Sequence, residues 1–189
     1  MPTRSLPKNF PTAAIKSKIE SRQDDNRNTM NEVLSEEKLE AIKFLVAILH
    51  EHKVPYQFTG GLAGNIHGSK WPLQDIDLEM PRAHIELVAY LLRLHIIEPL
   101  HFHQDSEFQM VMLNLKIEST AVDINQIEAQ QIFCQGQWIA HNVDIKKAQL
   151  RLWHGMKVSV QPLEDLIAYK TLIGRQADLA DLQQLKSLT

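Results

Sequence analysis

Asp75 and Asp77 stand two residues apart in Asp75-Ile-Asp-Leu-Glu-Met80, where acidic and apolar residues alternate strictly. Side chains two apart in a strand share a face. Asp75, Asp77 and Glu79 therefore point one way, and Ile76, Leu78 and Met80 point into a core. Carboxylates about 7 Å apart along a strand repel one another unless solvent or cations intervene. A hard divalent cation resolves the repulsion, because Mg²⁺ prefers oxygen ligands and often takes one or two protein carboxylates together with substrate phosphates. The plainer alternative is a solvated polar face beside a buried one, the commoner meaning of an isolated D-x-D.

Two neighbours bear on that choice. Gly60-Gly61 sits between a short strand and a short helix, where backbone N–H groups can face a phosphate and glycine permits close approach. A plain tight turn is the alternative. Asp123 lies in Thr120-Ala-Val-Asp-Ile-Asn125, alternating with Val122 and Ile124 in a strand that otherwise seeks the core. A carboxylate so placed is costly if buried without a partner. Either it shares a metal site with Asp75 and Asp77 or it lies on the exposed face of an edge strand. The histidine pairs His50/His52 and His101/His103 lack the helical spacing or cysteine companions of familiar zinc sites and read as scattered surface histidines. Cys134 has no evident base beside it for a nucleophile's role, and Trp71, Trp138 and Trp153 read as packing residues.

The elements that must position these groups follow from periodicity. Residues 1–34 are polar and irregular, including the run Ser21–Asn28, and read as a flexible N-terminal arm, with residues 35–189 as the folded domain. Ser35 is an N-cap before Glu36 and Glu37, and Leu39, Ile42, Leu45, Val46 and Leu49 give one helical face. Pro55 ends that helix; residues 56–59 form a short strand, Gly60-Gly61 a turn and residues 62–67 a helix closed by Gly68. After the carboxylate strand, Pro81 opens a helix carrying Ile85, Val88, Leu91 and Leu92. Residues 108–117 and 120–125 are strands joined near Glu118-Ser119, and residues 132–160 hold further short strands and loops. Pro162 opens a helix through Leu163, Leu166, Ile167 and Lys170 to Gly174, and Leu179, Leu182 and Leu185 mark a last one. The plan is α+β: a mixed β-sheet flanked by helices, with C-terminal helices.

Composition sets limits on function. A formal charge of -3 gives no global reason to expect long nucleic acid or an anionic membrane as a partner, although a local basic patch would serve for an RNA end. The single cysteine cannot form an internal disulfide, no apolar run reaches the ~20 residues of a membrane span, and the N-terminus lacks a secretory signal's apolar stretch. The expectation is a cytoplasmic protein.

Together, Phe58-Thr-Gly-Gly-Leu-Ala-Gly-Asn-Ile-His-Gly68, Asp75-Ile-Asp-Leu78 and Val122-Asp-Ile124 resemble the DNA polymerase β-like nucleotidyltransferase superfamily. The likeness is to its small bacterial branch of abortive-infection toxin-type and lincosamide/aminoglycoside nucleotidyltransferase-like proteins. Asp165-Leu-Ile-Ala-Tyr-Lys170 and Gly174-Arg-Gln-Ala-Asp178, with Asp181 beyond, extend the resemblance over residues 36–186. Pro72-Leu-Gln74 departs from the Arg or Ser with Thr that many members carry before the first acid. The resemblance implies that Asp75 and Asp77 hold two Mg²⁺ ions (Mn²⁺ the alternative) on an NTP. It also implies that Asp123 binds one metal and acts as base or orienter, and that Gly60 and Gly61 grip the triphosphate. Lys170 would neutralise phosphate charge, against the alternative of a surface lysine, and Arg175 and Asp178 would pair with each other or touch ligand. The implied activity is transfer of an NMP from an NTP to a hydroxyl acceptor: a small molecule, an RNA end or a protein. The competing reading is a nucleotide-binding regulatory protein without turnover, one partner of a toxin–antitoxin-like pair; a hydrolase on the same metal site is a third.

Overall fold

Ser35 caps the first helix of the computed structural model, which describes residues 33–187. Its hydroxyl accepts from the Lys38 amide at 3.3 Å, and Glu36 and Glu37 fill the first turn of α1 (Glu36–Glu51), as the sequence predicts. The arm expected over residues 1–34 lies outside the described residues except for Val33 and Leu34. Val33 offers its carbonyl to the Leu73 amide at 2.9 Å, and Leu34 packs against the core.

The chain continues through β1 (Gln57–Phe58), α2 (Gly60–His67), β2 (Ile76–Met80) and α3 (Arg82–Leu91). Gly60 and Gly61 are the first residues of α2 rather than a separate turn, because Gly60 takes a φ of +58° and swings the chain directly from strand to helix. A strand that periodicity does not reveal, β3 (Ile96–Gln104), follows. Pro99 sits within it, and its register with the next strand shifts on both sides of Glu98. β4 (Phe108–Ile117) and β5 (Thr120–Gln126) match the expected pair. The stretch 132–160 resolves into two hairpins, β6 (Gln130–Cys134) with β7 (Gln137–His141) and β8 (Gln149–Trp153) with β9 (Met156–Val160). Their turns, Gln135-Gly136 and His154-Gly155, carry positive φ at both residues, which matches the right-handed twist of the flanking strands. α4 (Leu163–Ile173), closed by Gly174 in the left-handed region, and α5 (Gln176–Lys186) complete the order.

The nine strands of the described residues form one mixed sheet. β2 runs parallel to β5 and antiparallel to β1, and β1 runs parallel to β9. β4 pairs along one edge with β3, and along the other with β5 and then β6. The alternation in β2 now has a physical reading. Ile76, Leu78 and Met80 are fully buried and join Val122, Ile124, Leu113 and Leu115 in the core beneath α1 and α3. The other face of β2, β4 and β5 carries Asp77, Glu79, Asn114, Asp123 and Asn125, with Met110 and Met112 of β4 beside them. A smaller cluster of Ala63, Val160, Leu166 and Leu185 packs α2, α4 and α5 together beside that face.

Candidate active site

Register decides where the carboxylates go. Asp77 on β2 pairs directly with Asp123 on the parallel strand β5, and Asp123 pairs with Asn114 on β4, so three polar side chains cross the sheet in one row. Asp75 immediately precedes β2. The three aspartates, Gly60, Gly61 and Lys170 all line one cleft of about 590 Å³ between the polar face of the sheet and helices α2, α4 and α5. That volume suits a nucleotide-sized ligand. Asp123 is on an interior strand, which removes the edge-strand alternative.

Gly60 is required here on two counts. Its φ of +58° lies in the left-handed region, and a Cβ at this position would collide with the carboxylate of Asp77. The start of α2 is thus pressed against the second aspartate. Thr59, at the N-cap, gives its hydroxyl to Gln161 Oε1 at 2.7 Å instead of capping the helix. The first-turn N–H groups, which have no partner within a helix, are left for other acceptors. Gly60→Ala is expected to cost ~1–2 kcal/mol from the left-handed backbone alone, plus displacement of Asp77. Chemical denaturation should show the loss, and a smaller one when Asp77 is also replaced by alanine.

The acids differ in their surroundings. Asp77 is pushed up to about 8 by burial and by the charges of Asp75 and Asp123, against the pull of Arg175. Asp123 is raised by burial, opposed by the Asn114 amide that donates to its Oδ1 at 2.7 Å, and raised again by Asp75. Glu79, on the same face, is 4% exposed and engaged: Gln57 donates to its Oε2 at 2.8 Å and Gln130 to its Oε1 at 3.2 Å. Burial raises it, and those two bonds oppose the rise. Tyr169, on the opposite wall, is pushed well up by burial and by the Asp77 and Glu79 charges.

Among the described residues, no three His, Cys, Asp or Glu side chains are gathered tightly enough to form an ion-holding group. Asp123 is turned toward Asn114, from whose amide it accepts. The donor set still fits a hard cation. Every candidate ligand is an oxygen, two of them are cross-strand neighbours, and Asp77, raised first by burial and then by the Asp75 and Asp123 charges, is a carboxylate whose charged form a cation would favour.

Lys170 is not the surface lysine of the alternative reading. It lines the cleft but is held by two carboxylates: its side chain is 7% exposed, with Nζ 3.2 Å from Asp178 Oδ1 and 3.1 Å from Asp181 Oδ2. Asp181 also accepts from the Ser69 hydroxyl, beside Gly64, where a Cβ would crowd its carboxylate at 3.1 Å. Asp178 binds Arg175 Nε at 2.7 Å, confirming that pair, yet the Arg175 side chain stays 48% exposed and lines the cleft near Phe108. Asn114 and His103 also line the cleft without having been singled out as site residues. Asn114 had a signal, a polar residue between the fully buried Leu113 and Leu115. His103 stands out in the sequence only as half of the His101/His103 pair, since β3 itself is not legible.

No family model matches the chain, and no curated protein matches it in sequence. Solved structures do. A Thermotoga maritima protein classed by inference as a nucleotidyltransferase is 20% identical with a TM-score of 0.66, over 85% of this chain and 99% of that one. The lincosamide antibiotic adenylyltransferase LnuA, solved with lincomycin, is 18% identical with a TM-score of 0.57, over 84% and 100%. ANT(2")-Ia, solved with adenylyl-2"-tobramycin, is 14% identical with a TM-score of 0.52, over 80% and 90%. With the sheet order, the glycine-led helix and the row of acids already in place, this shared backbone shows that the chain has the nucleotidyltransferase fold.

Proposed function

We propose that the protein is a Mg²⁺-dependent nucleotidyltransferase that moves an NMP from an NTP to a hydroxyl group of a small-molecule acceptor. The observation that carries this reading is the cross-strand pairing of Asp77 with Asp123, with the glycine start of α2 pressed against Asp77. Asp75, Asp77 and Asp123 would hold the metal, two ions in the full site, with Mn²⁺ as the alternative. Bound there, the metal supplies charge stabilisation at the attacking and leaving oxygens of an in-line displacement. The N–H groups at Gly60 and Gly61 face the triphosphate, as a helix start favours anions. Arg175, half exposed at the cleft with Nη1 3.8 Å from Glu107 Oε2, would turn its outer N–H groups to phosphate. We assign Lys170 the task of holding Asp178, and through it Arg175, in place.

In the reaction, the acceptor oxygen bonds to the α-phosphorus, the bond to the β-phosphate bridge breaks, and pyrophosphate leaves. Asn114 fixes Asp123 through Oδ1 and leaves Oδ2 to orient the acceptor hydroxyl or take its proton. Beyond the three aspartates assigned to the metal, Glu98 lines the cleft and favours an acceptor carrying positive charge, and the chain's formal charge of -3 disfavours long nucleic acid. Lincomycin and tobramycin, named for the similar structures, are probes of that kind. Among the described residues no helix is long and apolar enough to cross a membrane. Cys134 is a free thiol, and we place the protein in the cytoplasm on that ground.

The test is incubation with each labelled NTP, Mg²⁺ and a panel of amine-bearing hydroxyl acceptors, scored by pyrophosphate release and acceptor mass gain. Product that depends on Asp77 supports transfer. Equal signals from wild type and Asp77→Asn would sink it, and nucleotide binding without product would favour the regulatory, toxin–antitoxin-like reading.

A further inference from the structure

The row of cross-strand neighbours does not stop at Asn114. Asn114 pairs in turn with Glu98 on β3, so Asp77, Asp123, Asn114 and Glu98 follow one another across four strands. Neighbouring strands lie about 4.8 Å apart, which sets the Glu98 backbone about 10 Å from that of Asp123. Glu98 is on the side of Asp123 away from Asp77 and the glycine start of α2. It lies between the two register shifts of β3, and irregularities of this kind beside a site re-aim a side chain. Its carboxylate lines the cleft, and its side chain is 59% exposed.

Of the carboxylates lining the cleft, three aspartates are assigned to the metal, Gln57 and Gln130 hold Glu79, and Lys170 and Arg175 hold Asp178. Glu98 remains. Its Oε1 lies 3.6 Å from His101 Nε2. His101 Nδ1 is 2.9 Å from the Pro99 carbonyl, which can only accept, so Nδ1 carries the proton. In the neutral ring Nε2 then presents a lone pair, and two acceptors face each other across the gap. A group with several N–H donors satisfies both, and an ammonium has three. Beside this gap, β4 turns Met112, Met110 and Phe108 to the cleft, in alternation with the core-facing Leu113. Met112 pairs directly with His101, and its flexible thioether makes an adaptable apolar floor.

Resting on the transfer reading, in which Asp123 orients the acceptor hydroxyl, we propose that Glu98 and Met112 determine which acceptor is used. The acceptor carries a single protonated amine, separated from the reacting hydroxyl by an apolar body, rather than many charges on a polar one. Its hydroxyl sits at Asp123, its body on Met112, and its ammonium between Glu98 and His101.

The experiment uses the full chain with Mg²⁺ and no nucleotide, ¹³C-labelled at the methionine methyls, with Met112→Leu to assign the signal. The probe is aminopentanol, a terminal amine and a terminal hydroxyl joined by a methylene chain. Pentanediol lacks the charge, and aminoethoxyethanol keeps the charge on a polar chain. Aminopentanol should shift the Met112 methyl saturably in the millimolar range, with pentanediol about tenfold weaker, the loss of one charge-assisted bond. Aminoethoxyethanol should be weaker several-fold, the loss of one buried methylene. Glu98→Gln, at an exposed position, should bring aminopentanol down to the level of pentanediol and leave the pentanediol response unchanged, which a general loosening of β3 would not do. Equal responses to aminopentanol and pentanediol would overturn the proposal. So would an unmoved Met112 signal, or an aminopentanol response unchanged in Glu98→Gln. The readout involves no turnover: transfer to other acceptors without this binding counts against the proposal alone, and this binding without transfer counts against the transfer reading alone.

Discussion

Asp77→Asn will abolish nucleotidyl transfer and at the same time stabilise the metal-free protein. The loss of transfer should be about 10³-fold or more, since a catalytic metal contributes several kcal/mol of charge stabilisation and each 1.4 kcal/mol is about tenfold. The gain in stability comes from the same carboxylate. Asp77 is pushed up to about 8 by burial and by the Asp75 and Asp123 charges, far above an ordinary aspartate. Its folded state therefore holds a proton that the unfolded chain gives up near pH 4. Stability from this group is complete below pH 4 and is lost as pH rises toward 8. Water in the cleft screens part of the effect, leaving ~2–3 kcal/mol, or on the order of 5–10 °C in melting temperature at pH 8. Melting curves of both proteins with EDTA should converge near pH 4 and diverge as pH rises. Added Mg²⁺ should raise the wild type and close the gap. A gap independent of pH would show that Asp77 is not strained by its neighbours.

The second large effect is at Lys170. Removing one partner from a buried charge network costs about 3–5 kcal/mol, because the charge left behind is unpaired. Lys170→Ala leaves Asp178 and Asp181, 4% and 1% exposed in their side chains, without the ammonium between them. Asp178 would retain Arg175 and Asp181 would retain Ser69, which holds the loss toward the lower end of that range. A fall in melting temperature on the order of 10 °C is expected, with partial recovery in the neutral combination Lys170→Met, Asp178→Asn, Asp181→Asn. Had Lys170 acted as an open phosphate ligand, Lys170→Ala would raise KM for the NTP at unchanged melting temperature.

Signals that lie within a short window of sequence are the ones that carry over into the fold. The α+β plan, α1 with its Ser35 cap, the two faces of β2 and the β4–β5 pair were legible because each rests on spacing within a short window. Asp75, Asp77 and Asp123 were found together because a polar residue inside an apolar alternation stands out wherever the strand ends up. What failed was non-local. β3 was hidden because Pro99 breaks its pattern, and the sheet tolerates that only through register shifts. The hairpins of 130–160 lay in residues with mixed polarity, where only the glycine at each turn hinted at them. The burial of Lys170 is not legible because helical spacing cannot show that Asp178 and Asp181, on the following helix, fold back around it. Gln57 and Gln130, which hold Glu79 from 22 and 51 residues away, carried no local mark at all.

Calorimetric titration of a non-hydrolysable NTP, with and without Mg²⁺, tests the central claim most directly. Wild type should bind the nucleotide with Mg²⁺ and lose most of that affinity with EDTA, and the double variant Asp75→Asn, Asp77→Asn should show no Mg²⁺-dependent binding. Equal binding by wild type and the double variant, or no binding of any NTP under any divalent metal, would contradict it.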